Sequence, residues 1–301
     1  MKYEEFKTKL MEELQKWYGN EVKVSIESVL KHNGWSYEGL KIVKTADEKV
    51  TPMIPLDLVY EKFNRENMEL QQCVEQVCQL RELEEYNFDM NEFIHKLTKW
   101  EEIKEQIYPV LVATEKNETL LKSLSVTQFL DLSVIYRICG ESDHNGQYSV
   151  KINKSMLKEL GVSLEQLHKQ AMENQKREGY QFATIESILK ELFSDVETVL
   201  GRTEDRKYPE MIILSNRSKC YGAAGVLNKE LLREYADGRS FFIILSCVHE
   251  AILIPDAGEV DTEWLNHMIE EAFEETVDEE EQLSKHFYYY NGAIGEVTLD
   301  K

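Results

Sequence analysis

Glycine and proline are scarce: 14 and 5 in 301 residues exclude collagen-like and Pro-rich classes and leave no long flexible linker. Long apolar runs are missing too. The longest, FFIIL at 241–245, falls far short of the roughly 20 residues a membrane-spanning helix needs. The N-terminal stretch MKYEEFKTKLMEELQKWY is charged and amphipathic, not a secretory signal. The five cysteines, at 73, 78, 139, 220 and 247, include no CxxC pair. Their odd number suits reduced thiols better than a complete disulfide framework, so the expected compartment is the cytoplasm. Basic charge is in short supply. Lys and Arg total 35 against 56 Asp and Glu, a formal net charge of -21. That field repels nucleic-acid phosphates and anionic membranes and suits a basic protein partner or a cation. The expected partner is therefore a protein, with no nucleic acid and no membrane; a small ligand is left open.

Apolar residues are plentiful. A hydrophobic fraction of 42% and an aromatic fraction of 10% provide enough side chains to offset the cost of ordering the backbone. Phe6, Leu10, Leu14 and Trp17 recur at helical spacing, predicting a helix over 3–17 stopped at Gly19-Asn20. Val22, Val24 and Ile26 alternate with polar residues, and Leu40 and Ile42 follow beyond Asn33-Gly34, the pattern of a hairpin. Helices are expected at 56–63 and 66–85, the latter with Met68, Val74, Val77 and Leu80 inward, and another from about 88 to Trp100. EQIYPVLVA at 105–113 reads as a strand confined by Pro109 to an edge or bulge. FLDLSVIYRI at 129–138 and QYSVKI at 147–152 read as a strand pair. Asn153 or Ser155, Ser163 and Thr184 mark starts of helices. Residues 194–209 read as an exposed connector. Beyond it, MIILS, YGAAGVL, SFFIILS and EAILIP suggest short strands, with helices at 228–236 and 261–275 and a last strand pair across Asn291-Gly292.

This order lacks the regular alternation of a doubly wound fold. The expected class is α+β: an antiparallel or mixed sheet with helices largely on one face, preceded by a helical-plus-strand portion. The expected division is 1–180, an N-terminal α+β portion, and 181–301, a mainly β portion with helices.

Several phrases are similar to those of a family of conserved proteins from anaerobic Firmicutes known as a domain without assigned function. They are YEGLKIVK at 37–44, PMIPLDLVYEKF at 52–63, IYPVLVATEKNETLL at 107–121, FLDLSVIYRI, SNRSKCYGAAGVL at 215–227, ILSCVHEAILIP at 244–255 and LSKHFYYYN at 283–291. The resemblance covers nearly the whole chain and implies a cytoplasmic Firmicute protein. It implies no chemistry. Where that family's pattern has paired serines before His-Glu, this chain has Ser246 and Cys247. The change keeps size but alters acidity and nucleophilicity, which weakens an essential Cys247 more than a role for Ser246, His249 or Glu250.

The candidate catalytic residues are Ser246, Cys247, His249, Glu250 and Asp131. On an extended strand Cys247 and His249 share a face about 6.5–7 Å apart, whereas proton transfer needs about 3 Å and hence a bend. Against this stands a histidine that merely caps the strand end, with Glu250 satisfying exposed amides. His249-Glu250 does not open a zincin helix, because Leu253 occupies the place of the second histidine. His249, His267 and His286 with the acidic residues Glu270, Glu271, Glu274 and Glu275 suggest no metal site by spacing; a solvated acidic face is the simpler reading. Asp131 between apolar residues demands a donor if buried, with Arg137 the nearest in sequence. Gly222 and Gly225 lack the GK[ST] of a phosphate loop. Tyr288, Tyr289 and Tyr290 suit strand packing, or a contact platform.

No cofactor and no resident metal are expected. The sequence supports a noncatalytic cytoplasmic interaction or regulatory protein. The alternative is a hydrolase-like enzyme in which Ser246 or Cys247 attacks, His249 exchanges the proton and Asp131 or Glu250 orients it.

Overall fold

The computed structural model describes residues 1–45, 51, 53–86, 95–141, 147–192, 210–258 and 260–299. The expected connector at 194–209 and most of the helix expected from 88 lie outside them. The chain forms an α+β fold of antiparallel sheets and helices, grouped into two compact units. The first comprises residues 1–31, 35–102 and 140–148, the second residues 32–34, 103–139 and 149–301. Position 180 thus falls inside the second unit.

In the first unit, α1 (Tyr3–Tyr18) buries Phe6, Leu10 and Leu14 and ends at Gly19, whose positive φ of 75° lets its N–H turn back to the Gln15 carbonyl. β1 (Lys23–Leu30) and β2 (Ser36–Val43) pair antiparallel from Lys23↔Val43 to Leu30↔Ser36, and β3 (Met53–Pro55) adds to β2. Pro55 leads straight into α2 (Leu56–Arg65), and α3 (Leu70–Tyr86) follows. The helices and the sheet share one core, in which Leu10 and Leu14 meet Leu40, Ile42, Val74 and Val77. The inward face of α3 runs through Cys73, Val74, Val77, Cys78 and Arg81, whose Nε donates to the Ile42 carbonyl at 3.1 Å. Leu80 is therefore turned outward, 42% exposed, contrary to the spacing-based expectation.

The second unit carries two sheets. In the smaller, β6 (Leu132–Glu141) pairs antiparallel with β4 (Ile107–Ala113) on one side and β5 (Val126–Phe129) on the other, and β7 (Gln147–Lys151) also pairs with β6. Pro109 therefore lies on a marginal strand, where its missing N–H breaks no ladder. Leu130 and Asp131 form a two-residue turn between β5 and β6, with Leu130 at φ 51°. FLDLSVIYRI is thus two strands and a turn, not one strand, and Asp131 is a turn residue. Asn153 caps α4 (Lys154–Glu159), and Ser163 with Gln166 forms a capping box on α5 (Leu164–Gln175). Asn174 of α5 donates to the Lys104 and Ile107 carbonyls at 2.6 and 2.8 Å, which fastens the helix to the start of β4.

The larger sheet adds β8 (Gln181–Thr184), β9 (Ile212–Ser215), β10 (Phe241–Ile244), β11 (Ala251–Pro255), β12 (Phe287–Asn291) and β13 (Glu296–Leu299), with α6 (Ile185–Leu192) directly after β8. Its order is β13-β12-β10-β11-β9-β8, antiparallel throughout. YGAAGVL is not a strand: residues Gly222–Leu227 coil into a 3-10 segment. Tyr221, at φ 58°, starts it in a left-handed conformation no strand residue adopts. α7 (Lys229–Ala236) follows, and Tyr235 packs edge-on to Phe241 at 5.6 Å. Phe242 and Ile244, on the opposite side of β10, pack with Leu265 and Ile269 of α8 (Thr262–Glu271). Helices accordingly cover both faces of this sheet, since β10 is apolar on both. Tyr288 and Tyr290 are buried, which makes the Tyr288–Tyr290 run principally sheet packing.

Candidate functional site

The candidate residues gather in the connection between β10 and β11. Beyond Ile244 the chain leaves the ladder: Cys247 makes a single bridge to Gln282, and residues 248–249 bend. Backbone bonds hold this bend from two sides. The Val248 N–H donates to the Glu281 carbonyl at 2.9 Å, and the Val248 carbonyl accepts from Ala223 at 3.2 Å. Ser215 Oγ donates to the His249 carbonyl at 2.9 Å. Gly222 presses against the same carbonyl, where a Cβ would lie 2.5 Å from it and from Ser215 Oγ. The glycine read as packing room therefore fixes how near the 215–222 loop comes to His249.

The imidazole is engaged through both nitrogens. The Tyr221 amide, which can only donate, reaches Nδ1 at 3.3 Å. Nδ1 is thus the acceptor, and Nε2 carries the proton that it gives to Glu281 Oε1 at 2.9 Å. Glu281 is set in place by a 3-10 turn, Glu279–Glu281, and by the flanking Gln282, whose Nε2 donates to the Phe273 and Val277 carbonyls at 2.9 and 3.1 Å. The Tyr221 ring lies beside His249, centroids 5.7 Å apart, with the Arg137 guanidinium 4.1 Å above it.

The other candidates have separate settings. Ser246 is buried, and its carbonyl accepts from Leu283. Burial pushes the Cys247 thiol up; the amides of His249 and Glu250 pull the other way, and the Glu250 and Glu281 carboxylates add to the rise. That is the reverse of an activated nucleophile. Asp131 is held elsewhere: Tyr288 Oη and Ser284 Oγ donate to its two oxygens at 2.6 and 3.0 Å. The donor expected from Arg137 comes from these two residues instead. The fold thus brings Cys247, His249 and Glu250 into one bend, and Glu281 supplies the carboxylate that orients the ring. Glu281 went unseen in the sequence because it stands within an acidic run, where a solvated face is the default reading.

A second polar group adjoins the loop. Asn216 closes residues 216–220 by donating to the Cys220 carbonyl at 2.9 Å and accepting from its N–H at 3.1 Å. Glu178, which takes the Tyr180 hydroxyl at 2.9 Å, has its carboxyl raised by burial, with Tyr180 and Arg137 opposing. Among the described residues no three His, Cys, Asp or Glu side chains converge to hold a metal ion, and no helix is long and apolar enough to cross a membrane.

The fold and site together define an α+β protein in which a Tyr221–His249–Glu281 relay fastens a strained loop to the end of a six-stranded antiparallel sheet. The chain belongs to DUF5688, a family of unknown function whose model matches residues 3–292. Among curated proteins and among solved structures, nothing matches it.

Proposed function

We propose that this chain is a noncatalytic interaction protein that takes an extended, basic segment of a partner protein along β13. The observation carrying this reading is the position of β13: it ends the strand order, with β12 on one side and, among the described residues, no strand on the other. Half of its backbone N–H and C=O groups therefore point away from the sheet, a template for strand addition. Natural edges are commonly blunted by lysine, proline or a bulge. The sequence Glu296-Val297-Thr298-Leu299 has no lysine and no proline, and it has two β-branched residues. Glu296 and the exposed carboxylates Glu270, Glu271, Glu274 and Glu275 favour a basic segment, as does the formal charge of -21. The hydrolase alternative, Ser246 or Cys247 with His249, has less support, because both ring nitrogens are already engaged. The five free thiols favour a cytoplasmic setting, and the phrases quoted above favour a Firmicute source.

The test compares the parent chain with Thr298→Lys in affinity capture at near-physiological salt. Thr298 is exposed, so the change preserves the core while placing a like charge and an edge-blunting side chain against the incoming strand. A protein held by the parent through a basic segment, and lost with Thr298→Lys, supports the reading. No reproducible partner, or equal capture by both, contradicts it.

A further inference from the structure

Beside β13 a cavity of about 310 Å³ opens where the β5–β6 turn, the first turn of α7 and the β12–β13 pair meet. We infer that this cavity reads the sequence of the segment added at β13: it takes one large apolar side chain, flanked on each side by a basic residue. The inference rests on strand addition at β13 and names what the added strand must carry.

The alternation of β13 supplies the reason. Val297 pairs with Tyr290 and shares its face of the sheet, whereas Glu296 and Thr298 point to the other face. The cavity lies on the Val297 side, walled by Phe129, Leu130, Leu232 and Val297, with Gly295 and Glu296 bordering it. On the opposite face α8 packs, against Phe242, Phe287 and Tyr289. A residue added opposite Val297 stands about 5 Å from it and points to the same face, into the cavity. Its two neighbours, opposite Glu296 and Thr298, point to the α8 face, where the exposed Glu296 offers a carboxylate. Lys229, at the cavity wall, repels a basic side chain there. A slip of one residue therefore brings like charges together and leaves the apolar side chain in water. Leu130 points to the same use. It is 38% exposed and sits at φ 51°, a left-handed backbone that a leucine adopts only at a cost in energy. An apolar side chain in the cavity gives that exposed leucine a partner.

Fluorescence anisotropy of the full chain with synthetic strand-forming peptides tests it. The probe carries lysine, leucine and lysine in succession at its centre. One control replaces the leucine by alanine; a second reorders the three to lysine, lysine, leucine, which puts a lysine on the leucine's face. The probe is expected to bind about tenfold more tightly than the alanine control, and more tightly than the reordered one. Thr298→Lys is expected to abolish binding of all three. Leu130→Asn suits the left-handed turn and removes an apolar wall. It is expected to weaken the leucine probe several-fold and leave the alanine control unchanged, a difference that a general loss of structure would not give. Equal binding of the probe and either control, lost in Thr298→Lys, overturns the cavity's role and leaves strand addition standing. Binding of no peptide up to millimolar concentration overturns both. Self-association of the chain that Thr298→Lys abolishes, with no peptide bound, overturns the inference in favour of a second copy at β13.

Discussion

His249→Ala removes an acceptor from the Tyr221 amide and a donor from Glu281 in one step. The part-buried Tyr221 N–H then loses its side-chain acceptor. An unsatisfied amide of this kind costs about 1–3 kcal/mol. The pairing with Glu281 adds little, since its side chain is 37% exposed and well solvated. A loss of about 1–3 kcal/mol in the stability of the second unit is therefore expected. His249→Asn separates the two contributions: its Oδ1 takes the place of Nδ1 as acceptor for Tyr221, while nothing reaches Glu281. Most of the lost stability should return. The assay is urea unfolding, read by its midpoint, together with hydrogen exchange of peptides covering 215–223. The alanine variant should lower the midpoint and speed exchange in that loop, and the asparagine variant should lie nearer the parent. Parent-like stability and unchanged exchange in His249→Ala would refute the reasoning.

Three further substitutions probe neighbouring parts. Tyr288→Phe deletes a buried hydroxyl bonded to a carboxylate, Asp131, at 2.6 Å, and should cost about 1.5–3 kcal/mol in chemical denaturation. Gly222→Ala puts a methyl group 2.5 Å from the His249 carbonyl and 2.8 Å from the Asn216 amide, both backbone, and should cost about 1–3 kcal/mol or more by the same measurement. Glu178 sets a pH dependence. Its folded carboxyl is raised, chiefly by burial, so between the unfolded and folded values the native chain holds more protons. Its contribution thus stabilises as pH falls through the folded value and is lost as pH rises through it. Glu178→Gln should flatten this component of the stability profile, and an identical profile would contradict the assignment.

Elements with strong local signals were legible in the sequence. The 3–17 periodicity, the Asn33-Gly34 turn, Pro109 at a margin and the Ser163 cap all encode their structure within a few residues. The misreadings share one cause, the choice of tertiary partners. Alternation in YGAAGVL suggests a strand, but Gly222 and Gly225 are there to admit the His249 carbonyl and the Tyr180 ring, neither of which is near in sequence. Leu80 follows helical spacing, yet Arg81 takes the inward place because the Ile42 carbonyl needs its donor. For the site, His249 and its neighbours stood out, but both of its partners are remote. One is a backbone amide, which no side-chain pattern reveals, and the other a glutamate within an acidic run.

The architectural role of His249 is tested most directly by ¹⁵N NMR of the histidine side chains in the intact protein at neutral pH. The expected result is a neutral ring with the proton fixed on Nε2 and Nδ1 unprotonated, lost as a signature in His249→Ala. A ring protonated on Nδ1, with Nε2 free to take a proton from Ser246 or Cys247, would contradict it and favour the enzyme.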